Sequence, residues 1–361
     1  MRYLFILGRN IPLSIAEIKS FLKRTSNNIL EEKLIGNALL LELSETLDAG
    51  TVDLLGGTLG IGIVLCNVKD IDKREIYFGT ENNFNYVIWD FSPHTTVVSE
   101  YLKRRFRSEE LRAVEKQFGG SIKSQDKNII RKPSSSIIHE EYFVFENLFG
   151  RVIQKCNYKE IEKRDMQKPV RREELSISPR LAKMMINLSE VKEGETLLDC
   201  FCGIGVVMIE ALNMDINAVG IDKDVNAIEG ARQNLQWFKF PTSSYKLLYG
   251  DSIKLKISPV NVLVSEPDFG SVLKKIPGNR EAQKMISQFE KLMIGVLNNL
   301  KTSVSGKIVF TAPLINTGRE RVGCDYSRIC LKTGLTIEEG FPLPEFRENQ
   351  IVGREIVVMK R

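Results

Sequence analysis

The sequence predicts an α/β protein whose C-terminal half is a doubly wound, mostly parallel sheet, preceded by a smaller α+β region. Three observations carry the prediction. From Ser178 onward, short apolar runs alternate with segments of helical periodicity, the mark of a sheet covered by helices on both faces. The run from Thr196 ends in Asp199, and Phe201, Gly203 and Gly205 follow before an apolar helical pattern resumes to Glu210. Such a strand, glycine turn and helix stand at the carboxyl edge of a parallel sheet, where doubly wound folds bind ligands. Third, the N-terminal half opens in the order strand, helix, strand, strand.

In that half, Tyr3 to Leu7 reads as a strand closed by Gly8. Ser14 to Leu22 follows with Ile15, Ile18, Phe21 and Leu22 at helical spacing, Ser14 as cap and Glu17 completing a capping box. Ile29 to Leu43 breaks at Gly36-Asn37 as a hairpin does, and Ile61 to Asn67 is a further strand. The order suggests a ferredoxin-like domain. Tyr86 to Asp90 is read as a strand and Thr95 to Phe118 as a helix or helix pair. Gly119 opens a polar segment running through Ser136, and Glu141 to Phe145 is a short strand. Lys103, Arg104, Arg105 and Arg107 are candidate phosphate contacts for a nucleic acid, although Glu109, Glu110 and Glu115 equally suit a solvated helix face. Residues 160–174 are highly charged and interrupted by Pro169, as an exposed connector would be. Arg171 and Arg172 there are further phosphate candidates.

The chain of 361 residues, 43% apolar and 27% charged, suits a globular protein of roughly two or three domains. A net charge of +5 permits a nucleic-acid partner without demanding one. Six cysteines without a C-x-x-C pair argue against a disulfide framework or zinc ribbon. His94 and His139 lack neighbours at ligand spacing, so no metal is expected. No segment reaches membrane-spanning length and no cleavage site follows the first apolar run, so a cytoplasmic location is expected.

In the C-terminal half, Ser178-Pro179 starts a helix, and strands end at Asp199, Asp222, Tyr249 and Ser265. Lys307 to Thr311 and Glu355 to Met359 are later strands; Val206 to Asn213, Val225 to Trp237 and Ala282 to Leu300 are helices. Gly203 and Gly205 allow a ligand to approach the backbone, and the following helix offers free N–H groups. Asp222 is placed to accept both hydroxyls of a ribose, and Asp251 to meet an adenine amino group. A dinucleotide site would want a third glycine where Met208 stands. Asp199 before the glycines suits an ammonium instead. A nucleoside with an amino-acid tail, S-adenosylmethionine, satisfies all three acids, with Ser178, Phe201, Lys223 and Ser252 as further candidate contacts. The fourth strand runs into Glu266, Pro267, Asp268 and Phe269. An exocyclic base amine is a poor nucleophile; a carboxylate and a carbonyl can favour its attack, a proline stiffens the turn and an aromatic ring stacks on the base. Cys200 and Cys202 are read as buried or cofactor-turn residues rather than nucleophiles.

The segments DCFCGIG, GIDKD, GDS and SEPDFG resemble, in order, the motifs of class I S-adenosylmethionine-dependent amino-methyltransferases, whose domain is Rossmann-like. More narrowly, YLFILGRNIPLSIAEI, RD…P…ISPRLAKMMINLS and VGREIVVMKR resemble the THUMP-containing tRNA guanine-N2 methyltransferases. That resemblance implies a ferredoxin-like domain (1–54), a THUMP-like RNA-binding domain (55–160), a linker (161–177) and a methyltransferase domain (178–361). It further implies methylation of N2 of guanosine 10 in tRNA, with the cofactor at Asp199, Phe201, Gly203, Gly205, Asp222 and Asp251. The expected partners are tRNA and a small activating subunit. One departure stands out: Glu266-Pro267-Asp268-Phe269 replaces the usual Asp/Asn-Pro-Pro-aromatic, lengthening the carboxylate and removing a proline. Either Glu266 is repositioned to hold the acceptor amine, Asp268 has taken over, or the site no longer transfers methyl groups to guanine. The rival readings are a methyltransferase for an adenine or cytosine amine, and an RNA-binding protein that keeps the fold without catalysis.

Overall fold

A computed structural model describes residues 1–118, 120–123, 129–132, 138–172, 177–270 and 273–361. They divide into two compact units, one of residues 1–15, 26–53 and 57–157, the other of residues 16–25, 54–56 and 158–361. Among the described residues no helix is long and apolar enough to cross a membrane.

The N-terminal elements are β1 (Arg2–Leu7), α1 (Ile11–Arg24), β2 (Ile29–Ile35), β3 (Ala38–Leu43), α2 (Thr51–Leu54), β4 (Thr58–Asn67), β5 (Asn83–Phe91), α3 (Thr95–Ser108), β6 (Arg112–Glu115), β7 (Gly120–Lys123), β8 (Ile129–Lys132), β9 (Glu140–Phe145) and β10 (Leu148–Lys155). One sheet of order β2-β3-β1-β4-β10-β9-β5-β6 takes strands from both regions expected as separate domains, 1–54 and 55–160. The run EEYFVF in β9 is buried throughout, and its alternate residues enter two different cores. Phe143 lies over Gly62 and Gly150: a Cβ on Gly150 would stand 2.1 Å from its ring and 2.3 Å from the Ile63 carbonyl. Glycine in these strands is what admits the ring.

Several local expectations change. Helix α1 starts at Ile11, and Asn10, not Ser14, caps it by accepting from Leu13 N at 3.2 Å. Glu17 is buried and accepts from Gly56 N at 2.6 Å and from Asn187 Nδ2 at 2.9 Å, so no capping box forms. The helix expected over 95–118 ends at Ser108, where Glu110 takes φ +61 and Leu111 N turns back to the Phe106 carbonyl. The chain then pairs with β5 as strand β6, in parallel. The polar segment expected between Gly119 and Ser136 lies partly outside the described residues; its described parts pair as β7 and β8.

The segment 161–177 is, apart from Lys168 and Ile177, exposed or half-buried at every described residue. It continues α4 (Tyr158–Gln167), Lys168 is buried, and the Val170 backbone is bonded on both sides to Asn234, at 2.9 and 3.1 Å. Residues 173–176 lie outside the described ones.

Thereafter come α5 (Pro179–Leu188), β11 (Thr196–Asp199), α6 (Val206–Leu212), β12 (Asn217–Asp222), α7 (Val225–Trp237), β13 (Tyr245–Tyr249), β14 (Val262–Ser265), α8 (Asn279–Leu300), β15 (Ile308–Asn316), β16 (Arg321–Val322), α9 (Tyr326–Thr333), β17 (Thr336–Ile337), β18 (Leu343–Glu345) and β19 (Val352–Lys360). The sheet runs β13-β12-β11-β14-β15-β19-β17, parallel through β15 and antiparallel at β19. Strand order reverses between β11 and β14, which leaves a crevice above their carboxyl ends. Leu198, Leu263, Phe310 and Val357 pack with α8 in one core, while Met208, Ile209, Ile228 and Leu235 form another.

Gly150→Ala is expected to destabilise the N-terminal unit by about 1–3 kcal/mol through overpacking against Phe143. Urea unfolding followed by Trp89 fluorescence, in a Trp237→Phe background that leaves one tryptophan, measures it.

Candidate active site

The site is built where β11, β12 and β14 end. Asp199, the last residue of β11, is only 1% exposed. Its Oδ1 accepts from Ser265 Oγ at 2.6 Å and from Phe201 N at 3.2 Å, tying the end of β11 to the end of β14. Burial pushes its carboxyl up to about 7; the two hydrogen bonds pull the other way, and the charges of Asp222 and Glu266 add to the rise.

The glycine turn leads into α6. Gly203 and Gly205 take φ +51 and +88, where a side chain is strained, and a Cβ on Gly203 would meet no atom within 4 Å. The space before Gly203 is therefore free for a ligand. Gly205 caps α6. Gly203 N donates to Asp222 Oδ2 at 2.9 Å, and Asp222 Oδ1 accepts from Asp224 N at 2.9 Å. Asp222 thus holds the glycine turn and the start of α7 together, a duty its sequence position does not announce.

Asp199, Phe201, Gly203, Ile204 and Glu266 line one cavity with Ile177, Cys202, Val206 and Val207. Glu266 is ion-paired to Arg354 of β19, and Pro267 behind it is buried. Burial raises the Glu266 carboxyl above its ordinary range, and Arg354 opposes the rise. Phe269 packs edge-on against Phe289 at 5.7 Å between ring centroids. Asp268 instead points to solvent and accepts from Gly270 N at 2.9 Å. Of the two candidate carboxylates, the cavity contains Glu266.

Other expected contacts lie differently. Ser178 is exposed and caps α5 by accepting from Leu181 N at 3.3 Å. Lys223 and Asp251 are exposed, with Asp251 Oδ1 accepting from Ile253 N at 3.0 Å. Ser252 is buried and donates to the Cys200 carbonyl at 2.6 Å. Burial drives the Cys200 and Cys202 thiols far up, so neither supplies a thiolate. No group of side chains able to hold a metal occurs among the described residues.

The basic candidates divide. Lys103 pairs with Glu115 at 2.9 Å and Arg105 with Glu109, whereas Arg104 and Arg107 are exposed on α3. Arg172 pairs with Asp224 at 2.8 Å, and Arg171 is exposed beside Met166. Sequence reasoning missed Ser265 as the partner of Asp199, Asn234 as the clamp on Val170, and Arg354. The signal for Arg354 was its place in VGREIVVMKR, but strand pairing across more than eighty residues is what brings it to Glu266.

A reversed strand order, a glycine loop at the reversal and acids on the neighbouring strand ends define an α/β unit of the class I methyltransferase type. Residues 168–312 match a family model described as an RMKL-like methyltransferase domain, and residues 73–233 one described as a DNA methylase. A tRNA (guanine(10)-N2)-dimethyltransferase of Methanothermobacter thermautotrophicus is 33% identical over 139 residues, 38% of this chain and 39% of that protein. Its counterpart in Pyrococcus abyssi is 26% identical over 283 residues, 75% of this chain and 79% of that protein. The alignments thus span about two-fifths of the first relative's length and four-fifths of the second's. The crystal structure of TrmN from Thermus thermophilus, 12% identical, covers 100% of both chains with a TM-score of 0.53 and shares the fold.

The buried acid predicts a pH effect with a definite sign. Between about pH 4 and 7 the folded state keeps an Asp199 proton that the unfolded chain has lost, so this group's contribution to stability falls as pH rises. Asp199→Asn keeps the acceptor oxygen and removes the charge. The variant is expected to melt close to wild type at pH 4.5 and higher at pH 8, by roughly 2–4 °C per kcal/mol recovered. Differential scanning calorimetry of the ligand-free protein at both pH values decides it.

Proposed function

We propose that the protein is a tRNA (guanine-N2)-methyltransferase that uses S-adenosylmethionine, with guanosine 10 as its target. The observation that carries the reading is that Glu266 lines the same cavity as Asp199, Phe201 and Gly203. A base amine held by Glu266 stands next to whatever the glycine turn binds.

The residues fit that cofactor. Asp199 is a buried acid whose neighbours are acids too, so a cationic ammonium would relieve it. The open face of Gly203 and the start of α6 suit a carboxylate, and Asp222 keeps a free lone pair on each oxygen for ribose hydroxyls. Asp251 is exposed at the end of β13, where an adenine amine would be met. When bound, S-adenosylmethionine supplies an electrophilic methyl group on sulfur and departs as a neutral thioether. Glu266 accepts a hydrogen bond from the exocyclic N2, which localises its lone pair, and takes the proton that N2 sheds once the N–C bond has formed. Pro267 keeps the loop in place and Phe269 offers a face for the base. No covalent enzyme intermediate is needed.

The N-terminal unit is read as the RNA-binding, THUMP-like part, with a ferredoxin-like beginning. The exposed Arg104 and Arg107 on α3, together with Lys103 and Arg105, offer phosphate contacts, and Arg171 and Arg172 offer others near the start of the C-terminal unit. The relatives named above act on guanosine 10 by their names, and this supports guanine over other bases. The match to a DNA methylase model keeps an adenine or cytosine amine as the second reading.

Nucleoside mass spectrometry of tRNA from cells with and without the gene tests the function. Loss of N2-methylguanosine or its dimethyl form is expected; loss of a methylated adenosine or cytidine would favour the second reading, and an unchanged spectrum would mean a fold retained without catalysis. Glu266→Ala is expected to bind S-adenosylhomocysteine normally by calorimetry while losing turnover; retained turnover would move the role to Asp268. Asp222→Ala, which removes charged hydrogen bonds, is expected to weaken cofactor binding by roughly 10–100-fold in the same titration.

A further inference from the structure

The sequence raises a difficulty that the structure answers: a glutamate at 266 has one more rotatable bond than an aspartate, and a floppy carboxylate is a poor partner for an attacking amine. We propose that Arg354 is a positioning residue, which holds Oε1 of Glu266 so that Oε2 is presented to the acceptor amine. The proposal rests on the methyl-transfer reading above.

The geometry supports it at four points. Arg354 Nε is bonded to Glu266 Oε1, while Oε2 has no hydrogen bond to a described residue and Glu266 lines the cavity. Arg354 is itself fixed: β19 pairs with β15 on one side and β18 on the other, setting Arg354 opposite both Pro313 and Glu345. Strand β15 in turn pairs with β14, which delivers Glu266. The guanidinium also sits 5.9 Å from the centroid of the Phe269 ring, so one cation braces both the carboxylate and the aromatic face.

The charge balance around Glu266 gives the arrangement a signature. Arg354 faces it from β19; Asp199, at the end of β11, is raised by the charges of both Asp222 and Glu266. Glu345 stands opposite Arg354 on β18. Arg354 is thus the cation that favours the ionised carboxylate against its burial. Glutamate must be ionised to take the amine's proton, so the acid limb of the rate profile reports this pair.

The full-length chain is assayed with a tRNA transcript and S-adenosylmethionine from pH 5.5 to 9. Arg354→Gln is expected to lower kcat by roughly 10–100-fold, as misplaced catalytic groups do. The KM for the cofactor should stay near wild type, and the acid limb of kcat should move to higher pH. Arg354→Lys, which keeps the charge without the fork, should restore the limb more than it restores kcat. A wild-type kcat and an unmoved limb in Arg354→Gln would overturn the proposal. So would a kcat loss matched by equal losses of cofactor affinity and melting temperature, since that pattern marks a merely structural role. Should the wild type methylate no guanine, the proposed function falls by itself. A 13C NMR titration of Glu266 then decides the pair: a carboxyl that titrates at higher pH in Arg354→Gln supports Arg354's hold on Glu266, and one that does not move refutes it.

Discussion

Asp199 sits between the two halves of the site, and its bonds explain why they are one site. Its carboxylate takes the Ser265 hydroxyl from the end of β14 and the Phe201 amide from the glycine turn, while the same Phe201 amide also reaches Ser265 Oγ at 3.0 Å. The turn that would hold a cofactor and the turn that would hold a base are therefore pinned to a common point. Two further bonds extend the seam: Cys202 N donates to the Ile221 carbonyl at 2.9 Å, and the Ser252 hydroxyl donates to the Cys200 carbonyl at 2.6 Å. The cost of this arrangement is a buried acid among acids. A buried carboxylate resolves that cost by holding a proton or by meeting a cation. A ligand with an ammonium group supplies the second resolution, which is why the most strained electrostatic point of the site is also its best argument for a ligand class.

The parallel sheet was legible because its signals are local. Asp199, Asp222, Tyr249 and Ser265 end their strands where the apolar runs stop, and Val225–Trp237 is a helix over its expected bounds. Misreadings arose where a distant partner outcompetes a local pattern. Ser14 and Glu17 have capping-box spacing, but Glu17 is buried and bound to Gly56 and Asn187. Arg112–Glu115 continues the charged periodicity of α3, yet the positive φ of Glu110 turns it into a sheet strand. The charged run after residue 160 stays exposed or half-buried apart from Lys168, and the partner the sequence does not announce is Asn234, some sixty residues on, which binds the Val170 backbone. Asp199, Phe201, Gly203 and Glu266, each singled out from its own motif, line one cavity. Ser265 and Arg354 were not singled out, because a hydroxyl and a guanidinium in β-strands carry no spacing of their own.

Counting basic residues overstates what a surface offers to phosphates. Lys103, Arg105 and Arg172 stand in clusters that read as cationic, and each is paired with an acid. These pairs are cheap to exchange, however. Surface ion pairs contribute about 0–1 kcal/mol, so a phosphate that offers a stronger acceptor can displace Glu115 or Asp224 at little cost. Arg104 and Arg107 are exposed and have no ion pair among the described residues.

The substitution that sets this chain apart from the usual motif lies at Glu266. Lengthening a carboxylate by one methylene moves its oxygens by about 1 Å if nothing else changes, a displacement that matters for an amine to be held in line. Here something else does change, because the last strand of the sheet carries a guanidinium to that carboxylate. An aspartate at 266, shorter by that methylene, would have to move to keep the same Arg354 contact. Glutamate binds the cation with one oxygen while the residue lines the cavity. Glu266 and Arg354 are therefore best understood as a single unit, with reach supplied by one side chain and rigidity by the other. Asp268, exposed beside Gly270, accepts from the Gly270 amide and so shapes its own turn.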